Sequence, residues 1–165
     1  SRWDPFFLHA VNLMIVVNWF GDSLDGTLAR VRDQQRPRYG YYVDHILDSL
    51  GVFVLMLGLV LSGFMTERVA AIFLISYLLL NIHVYLATST LGIFKISFGL
   101  LGPTELRILL MVGNWVLLTR SEVTLLGHRL LLFDVGGLAG AAVLMMILIT
   151  SVARIARQLY KLEPL

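Results

Sequence analysis

The chain has 165 residues, of which 58% are hydrophobic and only 15% are charged, with a net charge of +2 and a mean hydropathy of +0.80. Soluble domains carry about 25% charged residues, so the composition indicates an integral membrane protein, with a single domain over residues 1–165. The slight basicity is typical of membrane-protein loops and does not indicate nucleic-acid binding. The chain contains no cysteine, which excludes disulfides and thiolate metal sites.

Five apolar stretches predict an all-α fold, a polytopic bundle of transmembrane helices. A span requires about 20 residues; the second, third and fifth stretches reach that length directly, and the first and fourth reach it only with their polar ends. Pro103 is suited to the first turn of the fourth helix. The stretches cover residues 6–20 (running on to Asp25), 41–64, 69–88, 106–118 and 130–153.

The basic residues predict the orientation of these spans. Cytoplasmic loops of membrane proteins are enriched in Lys and Arg, so we expect the first loop and the C-terminus inside and the N-terminus outside. Because the apolar run begins so early, we expect a further helix to precede it in the full-length protein, giving six. The compact size favours a bacterial inner membrane. Nine of the 13 Lys and Arg fall on the cytoplasmic side: Arg30, Arg32, Arg36, Arg38, Lys95, Arg107, Arg154, Arg157 and Lys161.

Four aspartates form the main polar feature of this apolar chain. Asp22 and Asp25 end the first stretch, and Asp44 and Asp48 begin the second. On helices, spacings of three and four place each pair on one face, and one cytoplasmic loop joins the two pairs. Charged residues near hydrocarbon are costly and mark functional sites. We therefore expect the four carboxylates to converge on one site at the membrane surface.

Converging carboxylates repel one another, so either several are protonated or cations neutralise them. Oxygen ligands alone favour Mg²⁺ or Mn²⁺, with Ca²⁺ as a further possibility. Two such ions can stabilise a phosphoryl group during its transfer. The sequence thus predicts a metal site that handles phosphate.

Small and basic neighbours fit a ligand that carries phosphate. Gly26 and Gly40 lack a Cβ and allow close approach of a bulky ligand, and Ala29 keeps the same helix face open. Arg30 offers a planar guanidinium to phosphate oxygens. Together with the carboxylates, these residues suit a nucleoside diphosphate.

The pattern Asp22-x2-Asp25-Gly26-x2-Ala29-Arg30, nine residues, then Gly40-x3-Asp44-x3-Asp48 resembles the signature of the CDP-alcohol phosphotransferase family. All eight signature positions are filled. The resemblance implies a dimeric membrane enzyme of phospholipid synthesis, with six helices and an active site at the cytoplasmic face. Such an enzyme transfers a substituted phosphate from a CDP-linked donor to an alcohol or lipid acceptor and releases CMP.

The resemblance also implies residue roles. Asp22, Asp25 and Asp44 would bind two divalent metals that hold the donor's pyrophosphate. Asp48 would be the general base for the acceptor hydroxyl and could also contact a metal. The resemblance assigns donor binding to four further residues: Gly26, Ala29 and Gly40 in the cytidine and diphosphate pocket, and Arg30 at the phosphates.

Three further residues bear on the substrates. His45 directly follows Asp44 and resembles the choline and ethanolamine phosphotransferase branch; the alternative is a helix residue that points away from the metals. Glu105 and Arg107 either line an acceptor pocket or form an interfacial salt bridge. The donor is therefore open between CDP-diacylglycerol and a CDP-amino-alcohol, with a slight preference for the latter from the Asp-His pair.

Structural roles are expected for other polar and small residues. Asn81 and His83 lie mid-span and should form interhelical hydrogen bonds. Asp134 should cap a helix or be solvated. The spacing of Gly136 and Gly140 favours helix packing within the chain over a dimer contact.

Two other functions compete with the enzyme. A cation transporter could use the aspartates as an ion path, but transporters place their sites near the membrane midplane, and no span has an acidic series there. A non-catalytic membrane scaffold would not require four costly carboxylates.

Overall fold

The computed structural model describes residues 9–17, 20, 37–91, 103–119, 122–125 and 128–162. Residues 9–17 are helical and are named α1. The elements that follow are α2 (Pro37–Leu61), α3 (Glu67–Leu91), α4 (Pro103–Thr119), β1 (Glu122–Leu125), β2 (His128–Leu131) and α5 (Leu132–Leu162).

Three segments of the described chain are long and apolar enough to cross a membrane: Tyr42–Leu61, Glu67–Leu91 and Leu132–Leu162. They correspond to the second, third and fifth predicted stretches. Helix α4 begins at Pro103 as expected, and its 17 residues match the lower limit of about 17 residues for a span. The predicted count of five spans stays a prediction.

The described chain is mainly helical, as the all-α prediction requires, and one short element was not predicted. Strands β1 and β2 form an antiparallel hairpin, with Glu122 opposite Leu131 and Leu125 opposite His128. Leu130 therefore lies in a strand, and α5 begins at Leu132. The alternating polar and apolar residues of β1, Glu-Val-Thr-Leu, suit a half-buried strand, but β2 reads His-Arg-Leu-Leu, and its leucines merge with the apolar run of the next helix.

A glycine ends α2 and reverses the chain. Gly63 has a φ of 76°, a left-handed conformation that costs glycine little. Its amide donates to the carbonyl of Val60 at 3.0 Å, and the amide of Phe64 donates to that of Leu59 at 3.0 Å. These two bonds define a Schellman motif. The turn is short, so α2 and α3 pack side by side in opposite directions.

Helix α3 is capped by a residue from α5. The carbonyl of Thr66 accepts from the amide of Ala70 at 3.0 Å, which makes Thr66 the N-cap residue. Its own amide donates to Asp134 Oδ1 at 2.7 Å. A capping-box glutamate normally satisfies this amide from within the helix; here the carboxylate comes from the first turn of α5. The expected capping role of Asp134 is confirmed, although it caps a neighbouring helix.

Helices α3 and α5 run parallel in close contact. A Cβ on Gly137 would lie 2.8 Å from Val69 Cγ1, and one on Gly140 would lie 2.8 Å from Phe73 Cε2. Packing within the chain is thus confirmed for Gly140. Gly136 instead has nothing within 4 Å of its Cβ position, so the contacting pair is Gly137 and Gly140.

The apolar core concentrates at one end of the three long helices. We name this the turn end, defined by Ser62–Thr66 and the first turns of α5. The opposite end, named the site end, comprises the first turns of α2 and the last turns of α3 and α5. The main core cluster contains Val52, Met56, Leu59, Met65, Val69, Ala70, Phe73, Leu117, Phe133 and Ala141.

Candidate active site at the site end

Two of the four predicted carboxylates lie on the described part of the chain. Asp44 and Asp48 are one turn apart in α2, so they share a face as their spacing predicted. Asp44 is exposed, and Asp48 is half-buried. The other predicted metal and donor ligands, Asp22, Asp25, Gly26, Ala29 and Arg30, lie outside the described residues.

The level of this pair follows from contacts between helices. Asn81 Nδ2 of α3 donates to Ser49 Oγ of α2 at 3.4 Å, and His83 Nε2 is hydrogen-bonded to Ser151 Oγ of α5 at 2.8 Å. Asp48 therefore lies at the same level along the bundle as Ile82 of α3 and Thr150 of α5. Asp44 is one turn further towards the site end, level with Arg154. The expected interhelical hydrogen bonds of Asn81 and His83 are confirmed.

A chain of polar side chains accompanies Asp48 along the contact between α2 and α3. Ser49 Oγ donates to the carbonyl of His45 at 2.8 Å, a local bond common for serine in helices. Asn81 joins this hydroxyl to the side chain of Tyr77, with which it is also hydrogen-bonded. Tyr77 is close enough to Asp48 for electrostatic interaction. Asp48 thus belongs to a hydrogen-bonded polar region, set directly above the apolar core.

His45 packs towards α3. Its ring meets the ring of Tyr85 edge-on, with centroids 5.4 Å apart and an interplanar angle of 64°. Its Nδ1 is 3.8 Å from Asp44 Oδ2. The imidazole therefore contacts both a predicted metal ligand and the neighbouring helix, and both interpretations of His45 stay predictions.

Tyr77 and Tyr85 are the residues that sequence reasoning missed. With Asn81 they are spaced by four residues along α3, which places all three on one helix face. That spacing was visible in the sequence. The residues of α2 that this face contacts could not be predicted, because they depend on the register that the Gly63 turn sets between α2 and α3.

The described residues fit part of a metal site. Asp44 and Asp48 supply hard oxygen donors on one face, as Mg²⁺ and Mn²⁺ require. Within the described ranges, no group of three or more His, Asp or Glu side chains is placed to hold a metal ion, and two of the four predicted ligands fall outside those ranges. Gly40 has no described atom within 4 Å of its Cβ position, so packing gives no reason for glycine there.

The two residues predicted to contact the acceptor lie near the start of α4. Glu105 and Arg107 lie in the first two turns of α4, as expected, and their side chains are outside what the structure describes. Further along α4, buried Asn114 donates from Nδ2 to Asn12 Oδ1 of α1 at 2.9 Å. This amide pair joins the first and fourth helices.

Three long apolar helices with a carboxylate pair on one of them are consistent with an integral membrane protein that holds a polar site. The model of the CDP-alcohol phosphatidyltransferase family matches residues 7–156. The chain belongs to this family, whose members are membrane transferases of phosphate-containing groups in phospholipid biosynthesis. Searches of curated proteins and of solved structures found no match.

Proposed function

We propose that this protein transfers a substituted phosphate from a CDP-linked donor to an alcohol and releases CMP. The observation that carries the proposal is the position of Asp44 and Asp48 on one face of α2, at the polar end of an otherwise apolar bundle. The family match over residues 7–156 supplies the reaction class. The single domain spanning residues 1–165 would form this site.

The proposed chemistry is a displacement at phosphorus. The Asp48 carboxylate takes the proton of the acceptor hydroxyl, and the acceptor oxygen forms a bond to the donor phosphorus that carries the substituent. The bond from that phosphorus to the CMP oxygen breaks, and CMP leaves. Phosphoryl transfer depends on positioning and charge neutralisation. The half-buried position of Asp48 suits a general base that must reach a lipid-soluble substrate.

The remaining roles are proposed from the family signature. Asp22, Asp25 and Asp44 would hold two Mg²⁺ or Mn²⁺ ions together with Asp48, and the ions would neutralise the charge of the pyrophosphate. Gly26, Ala29, Arg30 and Gly40 would bind the donor. Glu105 and Arg107 would contact the acceptor.

Substrate, assembly and sidedness are also proposed. The donor is CDP-diacylglycerol or a CDP-amino-alcohol. We slightly favour the CDP-amino-alcohol because of the Asp-His pair, in which His45 lies 3.8 Å from Asp44. We further propose a homodimer whose active site faces the cytoplasm at a bacterial inner membrane.

The test is CMP release by the purified protein in nanodiscs, with each donor paired with diacylglycerol or small alcohols, with and without Mg²⁺ or Mn²⁺. Asp48→Asn should lower turnover by about a hundredfold to ten-thousandfold, the usual range for losing a general base. The matched control is Asp134→Asn, a change in an aspartate at the turn end, which should retain turnover per folded molecule.

Two results would contradict the proposal. Ion flux that depends on Asp48, without CMP release from any pairing, would favour a transporter. Folded protein that shows neither activity would favour a scaffold.

A further inference from the structure

The last three turns of α5 carry a basic face that the transferase proposal does not use. Arg154, Arg157 and Lys161 are exposed and follow one another at spacings of three and four, which places them on one side of the helix. With Thr150, Ala153 and Gln158 they line an open concavity of about 530 Å³.

These three cations have no acidic partner among the described residues. Within the described ranges, Arg129 pairs with Glu122 at 4.0 Å, and His45 lies 3.8 Å from Asp44. An exposed basic face is often simply solvated, and surface charges of that kind need no ligand. The position of the face relative to the membrane distinguishes it from a solvated tail.

The position follows from the length of the uncharged part of α5. Asp134 and Arg154 enclose 19 residues without a charge. At 1.5 Å per residue this stretch measures about 28 Å, close to the roughly 30 Å of the hydrocarbon layer. Arg154 therefore lies at the hydrocarbon boundary. Arg157 and Lys161 lie about 5 Å and 10 Å beyond it, at the level of lipid headgroups.

The same turns also expose apolar side chains. Val152 and Tyr160 are 44% and 72% exposed and point to other sides of the helix than the basic face. This segment therefore contacts lipid on one side and presents cations beside it. A lipid that binds the cations through its headgroup also meets the adjoining side of the helix, where Tyr160 is exposed, whereas a soluble anion would meet the cations alone.

We propose that the face formed by Arg154, Arg157 and Lys161 binds the phosphate headgroup of an anionic membrane phospholipid. Guanidinium groups bind phosphate oxygens through paired hydrogen bonds, and Lys161 adds a third charge nearest the aqueous side. The proposal does not use the carboxylates and does not depend on the transferase reaction.

The test uses the absence of native cysteine. A fluorophore on Ala156→Cys, which is exposed on the neighbouring face, reports quenching by nitroxide-labelled lipid in nanodiscs of phosphatidylcholine. We expect labelled phosphatidylglycerol to quench more strongly than labelled phosphatidylcholine. Each charge removed should lower this selectivity about fivefold at low salt, and R154Q/R157Q/K161Q should bring it close to one.

Two variants serve as controls. R154K/R157K keeps the charge but loses the paired hydrogen bonds of the guanidinium groups, so it should lower selectivity much less than R154Q/R157Q/K161Q, which separates charge from a folding defect. R68Q/R129Q removes two exposed cations at the turn end and should change nothing.

Three outcomes would overturn the proposal. These are equal quenching by both lipids in the parent protein, equal loss of selectivity in R68Q/R129Q, and displacement of labelled phosphatidylglycerol by millimolar inorganic phosphate. The last would assign the face to a soluble phosphate.

Discussion

The turn end and the site end of the same three helices are built in opposite ways. At the turn end, glycines bring α5 against Val69 and Phe73, and a carboxylate from α5 caps α3 at 2.7 Å. At the site end, the contacts are hydrogen bonds of Ser49, Asn81 and His83, beside an exposed Asp44. Close packing at the turn end fixes the helices relative to one another, so the site end can hold charged side chains in a fixed arrangement.

The sharpest test of this comparison exchanges one aspartate at each end. Asp44→Asn should lower transferase activity by at least about a hundredfold, because a predicted direct metal ligand is lost, and should leave thermal stability unchanged. Asp134→Asn should keep the activity per folded molecule. Activity and melting temperature of both variants in nanodiscs would check the pattern. Equal loss of activity in both variants would contradict it.

The glycines of α5 test the packing at the turn end. Gly140→Ala would place a methyl group 2.8 Å from the ring of Phe73, and such overpacking costs about 1–3 kcal/mol. Gly136→Ala is the matched control, since its Cβ position is open, and better helix propensity could add up to about 1 kcal/mol of stability. Unfolding in mixed micelles would compare the two. A stability loss of the same size in Gly136→Ala would show that helix rotation differs from the one described.

The cap between α5 and α3 has a smaller expected effect. Asp134→Ala removes the acceptor of the Thr66 amide and should cost about 1 kcal/mol, as for other lost caps. Glu122→Gln is a comparison change, because its exposed pair with Arg129 at 4.0 Å should contribute about 0–1 kcal/mol. A larger loss of stability in Glu122→Gln than in Asp134→Ala would contradict the view that the Thr66–Asp134 hydrogen bond stabilises the protein more than the exposed Glu122–Arg129 pair.

The smallest expected effect is at the site end. Ser151→Ala removes the hydrogen bond to His83 at 2.8 Å, and such interhelical bonds contribute about 0.6 kcal/mol on average. A double-mutant cycle with His83→Phe, followed by unfolding, would isolate the pairwise energy. A coupling as large as the Gly140→Ala effect would erase the contrast between the two ends.

The long helices and the Asp44–Asp48 pair could be predicted from the sequence, because apolar length and residue spacing are local properties. Other features depend on distant contacts. Asp134 reaches Thr66 across 68 residues. The choice of Gly137 over Gly136 as a contact residue depends on how α5 is rotated against α3. The placement of Tyr85 beside His45 depends on the register of α2 and α3.

The hairpin of Glu122–Leu131 was missed for another reason. Its strands have four residues each, and a leucine-rich strand before an apolar helix cannot be separated from that helix by hydropathy alone.

The parallel contact between α3 and α5 has a consequence for synthesis of the protein. The ribosome completes α2 and α3 long before α5, so this helical pair enters the membrane with Val69 and Phe73 still facing lipid. The small-residue side of α5 and the Asp134 carboxylate arrive last and complete both the packing and the cap of α3. A chain that is released before α5 is made would therefore lack the acceptor of the Thr66 amide and would leave Val69 and Phe73 without their packing partners on α5.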